Sequence, residues 1–498
     1  MTLLCYAASP WRKLSPGPLG IPLLGNVSVF TDKRWLVSEE CRKQYGTVMH
    51  LNVLGKPMLI INSQKAAGDL LERRGNVYSD RPELIVSNGC QPFHLGMTSY
   101  GDLFRRMRKA SQEGFMKSVV KDYNPVQELE ALILTVDILK TPALRHRHFR
   151  RSAASMIMSV VYANPIILSE EDPKVRDIEA HIDRLVQVMT PSVMTQMFPW
   201  LRYISRNYHV WKRQALEGYA KDSAMFESLV DQVRDDLSIG IERPSFSATL
   251  IRDQQHNGLS DRENAWLAGN MFTAGAETTA GAMSWFTLAM ATHSPSQARA
   301  QAELDAIVGR ARPPTFADLP CLPYIRALVK EVLRWRPILP LGMPHRVREH
   351  DWYNGAFVPA GTTAFVNVWL CNTDPAAYGA DARAFRPERH LEGPPPPETR
   401  EEGHVAFGFG KRVCVGRHVA NNSLFINIAT LLWAATIAPA KSADGTEIPI
   451  DVDGFVDDGM IFRPKSFECT VIPRFPEVLP LLKAELELRG HDPASTDA

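Results

Sequence analysis

A helical pattern of thirty-odd residues runs without a break from Ser260 to about His293. It opens with a capping box, in which the Ser260 side chain accepts from the backbone at Glu263 while the Glu263 side chain reaches back. Ser294-Pro295 ends it, because proline removes a backbone donor. At about 1.5 Å per residue the helix is roughly 45 Å long. A helix of this length crosses the whole body of the protein, so the other elements must pack around it.

Small residues surround one carboxylate and two hydroxyls at the centre of this helix, in the run Ala274-Gly275-Ala276-Glu277-Thr278-Thr279-Ala280-Gly281-Ala282. Burying an unpaired carboxylate costs several kcal/mol, and glycine in a helix interior costs about 1 kcal/mol more than alanine. Small side chains leave room for a flat ligand and a diatomic molecule, and a threonine hydroxyl bonded to a backbone carbonyl opens a helix locally. Neighbouring acid and alcohol groups can relay protons. The alternative is a close helix–helix crossing with Glu277 directed to the surface.

The rest of the chain predicts a mainly α fold with small β-sheets. The length of 498 residues suggests about three domains, but no linker separates them, so one large body is the simpler interpretation. Helical periodicity extends from about Asp102 to Val308 and resumes from about Arg417 to Thr436. Breaks are predicted at Pro142, Pro165, Pro173, Pro191, Pro199 and Pro244.

Two extended regions predict the sheets. Val48 to Val53 and Pro57 to Ile61 are apolar and β-branched and are joined through Gly55-Lys56, as in a hairpin. A second region, Phe357 to Val366, combines a Pro/Gly turn with a β-branched run and predicts another hairpin strand.

Composition narrows the function by exclusion. Hydrophobic residues at 45%, charged residues at 22% and a formal net charge of +1 are ordinary globular values and give no sign of nucleic-acid binding. Seven cysteines include no Cys-x-x-Cys pair, which indicates a reducing compartment. Cys414 is the one thiol in a setting typical of a ligand.

Cys414 lies in the run Phe407-Gly408-Phe409-Gly410-Lys411-Arg412-Val413-Cys414-Val415-Gly416. The glycines let the backbone pass close to a flat ligand, while Lys411 and Arg412 favour an anionic sulfur, so the loop can hold a thiolate on a metal. Two alternatives remain. The cysteine can be a small buried hydrophobe, or the loop can bind a dinucleotide, although Val413 stands where the third glycine of that motif belongs.

Five residues of this run, Phe407, Gly410, Arg412, Cys414 and Gly416, match the Phe-x-x-Gly-x-Arg-x-Cys-x-Gly haem loop place by place. The chain therefore resembles the cytochrome P450 family, in particular its microsomal-type fungal members. The resemblance implies a single large haem domain that binds haem b, with Cys414 as the axial ligand of the iron.

The central helix also resembles the family, whose motif is Ala/Gly-Gly-x-Asp/Glu-Thr-Thr. On this resemblance Thr278 is the oxygen-activating threonine and Glu277 is the acid beside it. Ala274 and Gly275 are then expected to form the wall next to the oxygen site.

A scaffold behind the cysteine loop is expected as well. Pro323 suits the first turn of a helix on which Glu331 and Arg334 are neighbours, and such a pair alone is usually a solvated surface ion pair. The resemblance to the family's Glu-x-x-Arg implies instead a buried network that Arg389 completes. His390 stands where the family usually has phenylalanine, a departure expected to change packing more than chemistry.

The two propionates of a haem need cations, and arginine bonds carboxylates bidentately. Arg412 is one candidate. Tyr100 to Arg108 resembles the family's Trp-x-x-x-Arg helix with Phe104 in place of tryptophan, so Arg108 is the second. His345 is the third, although a lone histidine in a loop is more often simply exposed.

The termini give the expected organisation: residues 1–15 without a full anchor, a proline-rich hinge at 16–26, a haem domain at 27–485 and a polar tail at 486–498. The hinge resembles the one that follows the membrane anchor of microsomal members, but residues 1–15 lack the roughly twenty apolar residues of a spanning helix. The protein is held by surface contacts alone or is a shortened form. The expected location is the cytosolic side of the endoplasmic reticulum membrane, with the cytoplasm as the alternative.

Partners follow mostly from the resemblance. Apolar stretches at Leu84 to Phe93, Pro340 to Met343 and Gly459 to Phe462 suggest a lipophilic substrate, and Met197 to Ile204 mixes aromatic and basic residues as interfacial segments do or as a core does. No flavin site is evident in the sequence, so electrons are expected from NADPH through a separate flavoprotein reductase. That reductase would dock near Lys411, Arg412 and Arg417.

The expected activity is insertion of one oxygen atom from O2 into a lipophilic small molecule, in specialised metabolism or xenobiotic oxidation. Two alternatives stay open. One is a haem-thiolate isomerase or dehydratase that needs no external electrons, although the intact Glu277-Thr278 pair argues against it. The other is a ligand-binding protein without catalysis.

Overall fold

The computed structural model describes residues 9–29, 34–83, 93–169, 171–197, 203, 206–457 and 461–491. The α-helices in these ranges are α1 Arg34–Tyr45, α2 Gln64–Ala67, α3 Gly75–Tyr78, α4 Asp102–Phe115, α5 Asn124–Lys140, α6 Arg145–Tyr162, α7 Pro173–Met197, α8 Arg206–Ser238, α9 Phe246–Arg252, α10 Gln254–Asn257, α11 Asp261–Thr292, α12 Ser294–Ile307, α13 Pro323–Trp335, α14 Val368–Asn372, α15 Pro375–Tyr378, α16 Arg417–Ala434 and α17 Val478–Leu488.

Short helical turns and small sheets complete the fold. The 3-10 turns are Pro10–Lys13, Val27–Val29, Val120–Tyr123, Pro142–Leu144, Phe316–Cys321, Pro387–His390, Pro397–Glu402 and Gly410–Arg412, and a π-helix spans Gly68–Arg73. The strands are β1 Val48–Val53, β2 Lys56–Ile61, β3 His345–Arg346, β4 Asp351–Tyr353, β5 Ala356–Val358, β6 Thr363–Val366, β7 Ala435–Pro439, β8 Phe455–Asp457, β9 Phe462–Pro464 and β10 Cys469–Pro473. The predicted class, mainly α with small β-sheets, is confirmed.

The long central helix is α11, and its predicted bounds hold to within one residue. The capping box between Ser260 and Glu263 is present in both directions, and α12 begins at Ser294 immediately after the helix ends. Its apolar side chains are buried in two clusters, with α6, α8 and α9 around the N-terminal half and α5, α6, α13 and α16 around the C-terminal half, where Trp285 is fully enclosed. Helices therefore pack around α11 on most of its length, as a helix that crosses the whole body requires.

The principal sheet has the order β1-β2-β6-β3. The predicted hairpin is confirmed, since β1 and β2 pair antiparallel with Val48 opposite Ile61. The second predicted hairpin strand is confirmed for β5, which pairs antiparallel with β4, while β6 joins β2 and β3 in the principal sheet. The turn between them, with Gly361 at φ 83°, carries the chain from one sheet to another. A turn signal marks a change of direction but not the strand's partner.

Proline breaks were predicted correctly except at one described position. Helix α7 continues through Pro191 to Met197, because the fixed φ of proline is helical and the residue removes only one hydrogen bond of the helix. Pro199 lies outside the described residues. None of the helices in the described part of the chain combines the length and hydropathy that a membrane span requires.

Candidate active site

The loop that carries Cys414 is seated against the π-helix Gly68–Arg73. The Cys414 backbone N–H donates to the Phe407 carbonyl at 2.8 Å, which closes the loop before α16 begins. Gly410 has φ 55°, and a Cβ there would lie 2.2 Å from the Leu71 carbonyl oxygen, so only glycine fits. The motif glycine thus sets how closely the loop approaches its support.

Cys414 retains accessible surface, and so does Phe407, whereas Val415 beside it is buried. Surrounding protein nevertheless raises the pKa of the Cys414 thiol by burial, while the Gly416 backbone N–H, Arg108 and Arg417 act in the opposite direction. The side chain is therefore reachable by a ligand, and a coordinating metal would be needed to hold it as a thiolate.

Arg412 is half-buried, and its guanidinium is held by backbone carbonyls. Its guanidinium donates to the carbonyls of Ser79 at 2.8 Å, Leu95 at 3.2 Å and Thr98 at 2.8 Å, and it stacks 3.6 Å from the centre of the Phe104 ring. Phe104 thus provides the aromatic surface that the family's tryptophan position suggested. That Arg412 adds positive charge to a docking face stays a prediction, and its guanidinium is directed toward three backbone carbonyls.

A neighbouring cation, Arg81, was not predicted from the sequence. It is 3% exposed and donates to the carbonyls of Gly96 at 2.7 Å, Met343 at 3.1 Å and Pro344 at 2.6 Å. Burial lowers its pKa to about 10. The segment carrying Arg81 has no motif of its own, and long-range backbone contacts, among them the bridge between Asp80 and Arg346 and the bond from the Arg348 N–H to the Val77 carbonyl, bring it to this place.

His345 and Arg108 complete the group of side chains expected to hold the propionates. His345 is buried in β3, and its Nδ1 lies 2.8 Å from the Tyr78 carbonyl, to which it donates. Burial, Arg81 and Arg412 hold the pKa of His345 well below its usual value. Arg108 donates to the Val413 carbonyl at 2.6 Å, and burial lowers its pKa to about 10.

The three arginines carry a surplus of positive charge, whereas the lowered pKa of His345 leaves its ring neutral at pH 7. The hydrogen bonds given above all go to neutral carbonyls, and burial followed by repulsion from Arg81 lowers the pKa of Arg412 to about 8. Among the described residues, the carboxylate that acts favourably on Arg81 and Arg412 is Asp80. A ligand with two carboxylates would compensate the surplus, and an accessible thiol stands two residues from Arg412. The residues present therefore fit haem b, held by Cys414, Arg81, Arg108, Arg412 and His345.

Two adjacent faces of α11 have different surroundings. Thr278 Oγ1 donates to the Ala274 carbonyl at 2.8 Å, and Ala274 is exposed at the middle of a largely buried helix. Gly275 lies on the other face, where a Cβ would come within 2.8 Å of the Ile157 side chain of α6. The expectation that Ala274 and Gly275 form the wall beside the oxygen site stays a prediction; a side chain at Gly275 would pack on α6, whereas Ala274 is open.

Glu277 is paired rather than isolated. Its Oε1 lies 3.2 Å from Arg150 Nη2, and the same guanidinium contacts Glu179 at 2.8 Å. The side chain is 22% exposed, so this ion pair is partly screened by solvent and contributes little to stability. The carboxylate is thus held near Thr278 by a contact that can open.

The structure brings Glu331, Arg334 and Arg389 together in the interior. Arg334 donates to both carboxylate oxygens of Glu331 at 2.7 and 2.8 Å, and Arg389 Nε donates at 3.2 Å. His390 Nε2 lies 3.0 Å from the same carboxylate, so this departure from the family changes the polar network and not only packing. Burial raises the pKa of Glu331, but Arg334 and His390 outweigh it and lower the pKa to about 2.

The network reaches the cysteine loop through α14. Arg334 Nη1 donates to the Asn372 carbonyl at 2.6 Å, and the Asn372 side-chain oxygen accepts from the Val405 backbone at 2.9 Å. Val405 precedes the loop by two residues, so the ion pairs fix the point at which the loop begins.

The predicted substrate-facing stretches are described only in part. Residues 84–92 and 459–460 lie outside the described residues, whereas Phe93 and Ile461 are half-buried. The Phe93 carbonyl accepts from Asn270 of α11 at 2.9 Å. A Cβ placed on Gly281 of the same helix would lie 3.6 Å from the Ile461 side chain. Of the predicted interfacial segment, Tyr203 is described and is 72% exposed.

Comparison with known proteins agrees with this fold and site. The sequence model of the cytochrome P450 family matches residues 15–451. A cytochrome P450 monooxygenase of Armillaria gallica is 51% identical, covering 98% of this chain and 95% of the relative, and one of Amanita muscaria is 37% identical over 96% and 94%. A zebrafish cytochrome P450 solved with progesterone superimposes with a TM-score of 0.72 at 23% identity, covering 89% of this chain and 100% of that chain.

Fold and site together define a haem-thiolate protein. The chain belongs to the cytochrome P450 family and is a monooxygenase of that family.

Proposed function

We propose that the protein inserts one oxygen atom from O2 into a lipophilic small molecule, using haem b ligated by Cys414 and electrons from NADPH through a separate flavoprotein reductase. The observation that carries the proposal is the accessible Cys414 thiol beside a surplus of arginine cations, of which Arg81 is buried while Arg108 and Arg412 are half-buried. Thiolate-ligated haem supplies the activation of O2 when reducing electrons arrive. Residues 27–485 form the haem domain, 16–26 the hinge and 486–498 the tail.

Each residue of the site has a separate proposed role. Cys414 is the metal ligand, and Arg81, Arg108, Arg412 and His345 orient the propionates. Phe407, Gly410 and Gly416 shape the loop around the ligand, and the network of Glu331, Arg334 and Arg389 fixes where that loop begins.

Proton delivery is assigned to α11. Thr278 holds a proton at Oγ1, in the hydrogen bond to the Ala274 carbonyl. When its contact with Arg150 opens, the Glu277 carboxylate takes up a proton from solvent. Glu277 then passes this proton to Thr278. Ala274 keeps the space beside Thr278 clear.

The substrate is proposed to be a lipophilic specialised metabolite or xenobiotic. Support comes from the apolar character of Phe93 and Ile461, which neighbour α11, and from the fungal monooxygenases to which the chain is similar.

The reductase is proposed to dock where α4 meets the Cys414 loop. Arg105 and Lys109 are largely exposed on α4, and Lys411 is exposed on the loop. Arg108 of the same helix contacts Val413, so this face adjoins the cofactor ligand. Positive charge here suits an acidic partner.

Peripheral attachment to the cytosolic side of the endoplasmic reticulum membrane is proposed for the N-terminal segment. Leu19 is 101% exposed and Leu23 is 96% exposed, and Trp11, Ile21 and Leu24 are exposed around them. Apolar side chains in a proline-rich segment beside basic residues suit a membrane surface.

The absorption spectrum of the reduced, carbon-monoxide-bound protein tests the cofactor assignment. The wild type should show the red-shifted Soret band of a thiolate-ligated haem, and Cys414→Ala should lose it. Cys321→Ala removes an exposed thiol elsewhere and should keep the band.

The reaction class is tested with the same preparations. Product formation should require both NADPH and a reductase. Turnover that needs neither would replace the proposal with an isomerase or dehydratase, and substrate binding without any product would indicate a ligand-binding protein.

A further inference from the structure

A small internal cavity lies beside Thr279, one residue after the proposed oxygen-activating threonine. Its volume is about 10 Å³, and it is enclosed by α5, α6, α11 and α16. This is close to the room that one water molecule needs, provided that the walls offer two to four polar partners. Gln127, Glu130 and Thr279 supply such partners.

The orientation of the Gln127 amide is determined by its neighbours. Its Nε2 donates to the Val419 carbonyl at 3.1 Å and to Ser423 Oγ at 2.7 Å, so the nitrogen must be on that side. The Oε1 atom is buried and has no hydrogen-bond partner among the described residues. The residue is 1% exposed. An acceptor in that state costs about 1 to 3 kcal/mol unless something donates to it.

Glu130 presents a second unused acceptor. Its Oε2 accepts from Arg151 Nη1 at 3.2 Å, and the Ser152 and Ser155 hydroxyls also act on this carboxylate, whereas the buried Oε1 atom has no partner within hydrogen-bond geometry in the described part of the chain. Both Glu130 and Arg151 lie in the interior, and Glu130 lines the cavity. A group that donates two hydrogen bonds would therefore satisfy Gln127 and Glu130 together.

Thr279 differs from every other hydroxyl on its helix. The side chains of Thr273, Thr278, Ser284, Thr287 and Thr292 each donate to the carbonyl four residues earlier, at 2.8 to 3.0 Å. Thr279 alone on α11 makes no such bond, although it is only 6% exposed and lines the cavity. Its hydroxyl is thus left for a partner inside the cavity.

We infer that one buried water molecule occupies this cavity, donating to Gln127 Oε1 and Glu130 Oε1 and accepting from the Thr279 hydroxyl, and that Thr279 is thereby a positioning residue for Thr278. The second half of the inference rests on the proposed role of Thr278. The water satisfies two buried acceptors and one buried donor at once.

The helix geometry explains why the water matters for catalysis. Ala274 and Thr278 are four residues apart and share the open face, whereas Gly275 and Thr279 share the face packed on α6. The bond from Thr278 to the Ala274 carbonyl lies on the open face. The water ties the packed face to α5 at the adjacent residue, so a shift of α11 that would displace Thr278 is resisted.

A crystal structure of the haem-loaded enzyme, resolved well enough to show ordered water, tests the first half. Electron density for one water within hydrogen-bonding distance of all three atoms is expected. A dry cavity, or a water that touches none of Gln127, Glu130 and Thr279, would overturn the inference. This readout is independent of turnover.

The second half is tested with Thr279→Val, which keeps the shape and removes the hydroxyl. With an alkoxycoumarin as the lipophilic probe, peroxide formed per NADPH consumed should rise several-fold, because a small displacement of Thr278 suffices to disturb proton delivery. Probe affinity should stay the same, and Thr279→Ser should restore the wild-type ratio.

Thr287→Val is the matched control, since it removes a buried hydroxyl that bonds back to its own helix. It should lower thermal stability at most. Equal peroxide ratios in Thr279→Val and Thr287→Val would overturn the positioning role. Unchanged coupling in Thr278→Ala would instead reject the proposed function of Thr278 and with it the positioning role, while the water would still be judged by its density.

Discussion

At the scale of single residues, arginine cations bonded to neutral carbonyls indicate where an anionic group belongs. Arg412, Arg108 and His345 were predictable because each lies in or near a motif of the chain. Arg81 was not, since it reaches the site only through long-range backbone contacts of its segment, among them the bridge to β3. Its three carbonyl contacts come from two separate loops, at Gly96 and at Met343-Pro344.

Arg81→Met should release haem about tenfold faster than the wild type. The substitution removes a charge-assisted contact to a propionate, and such a hydrogen bond contributes about 1.5 kcal/mol or more. Haem transfer from the loaded enzyme to excess apomyoglobin measures the rate. Arg81→Lys keeps the charge, so its rate of haem release should lie between those of the wild type and Arg81→Met.

Arg346→Met controls for the loss of an arginine near this site. Arg346 lies on β3, the strand that the segment of Arg81 contacts. Its side chain is partly exposed and already paired with Glu83. Haem loss at the wild-type rate is expected for it. If Arg346→Met and Arg81→Met release haem equally fast, the charge surplus around Arg81 does not serve the cofactor.

At the scale of elements, sequence patterns with local causes were reliable and those with distant causes were not. The capping box located the start of α11, and Pro323 located the start of α13, because both depend on neighbouring residues. The pairing of β5 and β6 with different sheets depends on strands far away in the chain. The π-helix that supports the Cys414 loop gave no signal, although Gly410 of the motif fits against it.

Gly410→Ala should destabilise the protein by about 2 to 4 kcal/mol and reduce its haem content. The new methyl group would meet the Leu71 carbonyl at 2.2 Å in a backbone conformation that side chains rarely adopt. The Cys414 loop must then move away from the π-helix. Chemical unfolding and the ratio of haem to protein absorbance measure the two effects.

Gly445→Ala separates strain from contact. Gly445 also has positive φ, at 86°, but a Cβ there meets nothing within 4 Å. Backbone strain in Gly445→Ala should lower the free energy of unfolding by about 1 to 2 kcal/mol, and the haem content should stay unchanged. Equal losses in the two variants would show that the contact with Leu71 does not hold the loop.

At the scale of the whole molecule, exposed apolar side chains are unevenly distributed. Trp11, Leu19, Ile21, Leu23 and Leu24 are exposed within one short N-terminal stretch. Ile21 and Gly25 pair across a tight turn, and Gly25 also pairs with Val53 of β1, so this stretch is attached to the principal sheet. A membrane contact here would orient the whole haem domain relative to the bilayer.

The double variant Leu19→Ser/Leu23→Ser should bind vesicles of phosphatidylcholine and phosphatidylserine about tenfold more weakly than the wild type. Full burial of a leucine side chain is favourable by about 1.5 to 3 kcal/mol. Partial insertion of Leu19 and Leu23 together should contribute a comparable free energy of membrane binding. Co-sedimentation of the complete, haem-loaded chain measures the bound fraction. Leu488→Ser, which removes another leucine that is 82% exposed at the end of α17, should bind as the wild type does. Undiminished binding of the double variant would move the membrane contact away from the hinge, with the segment around the exposed Tyr203 as the next surface to alter.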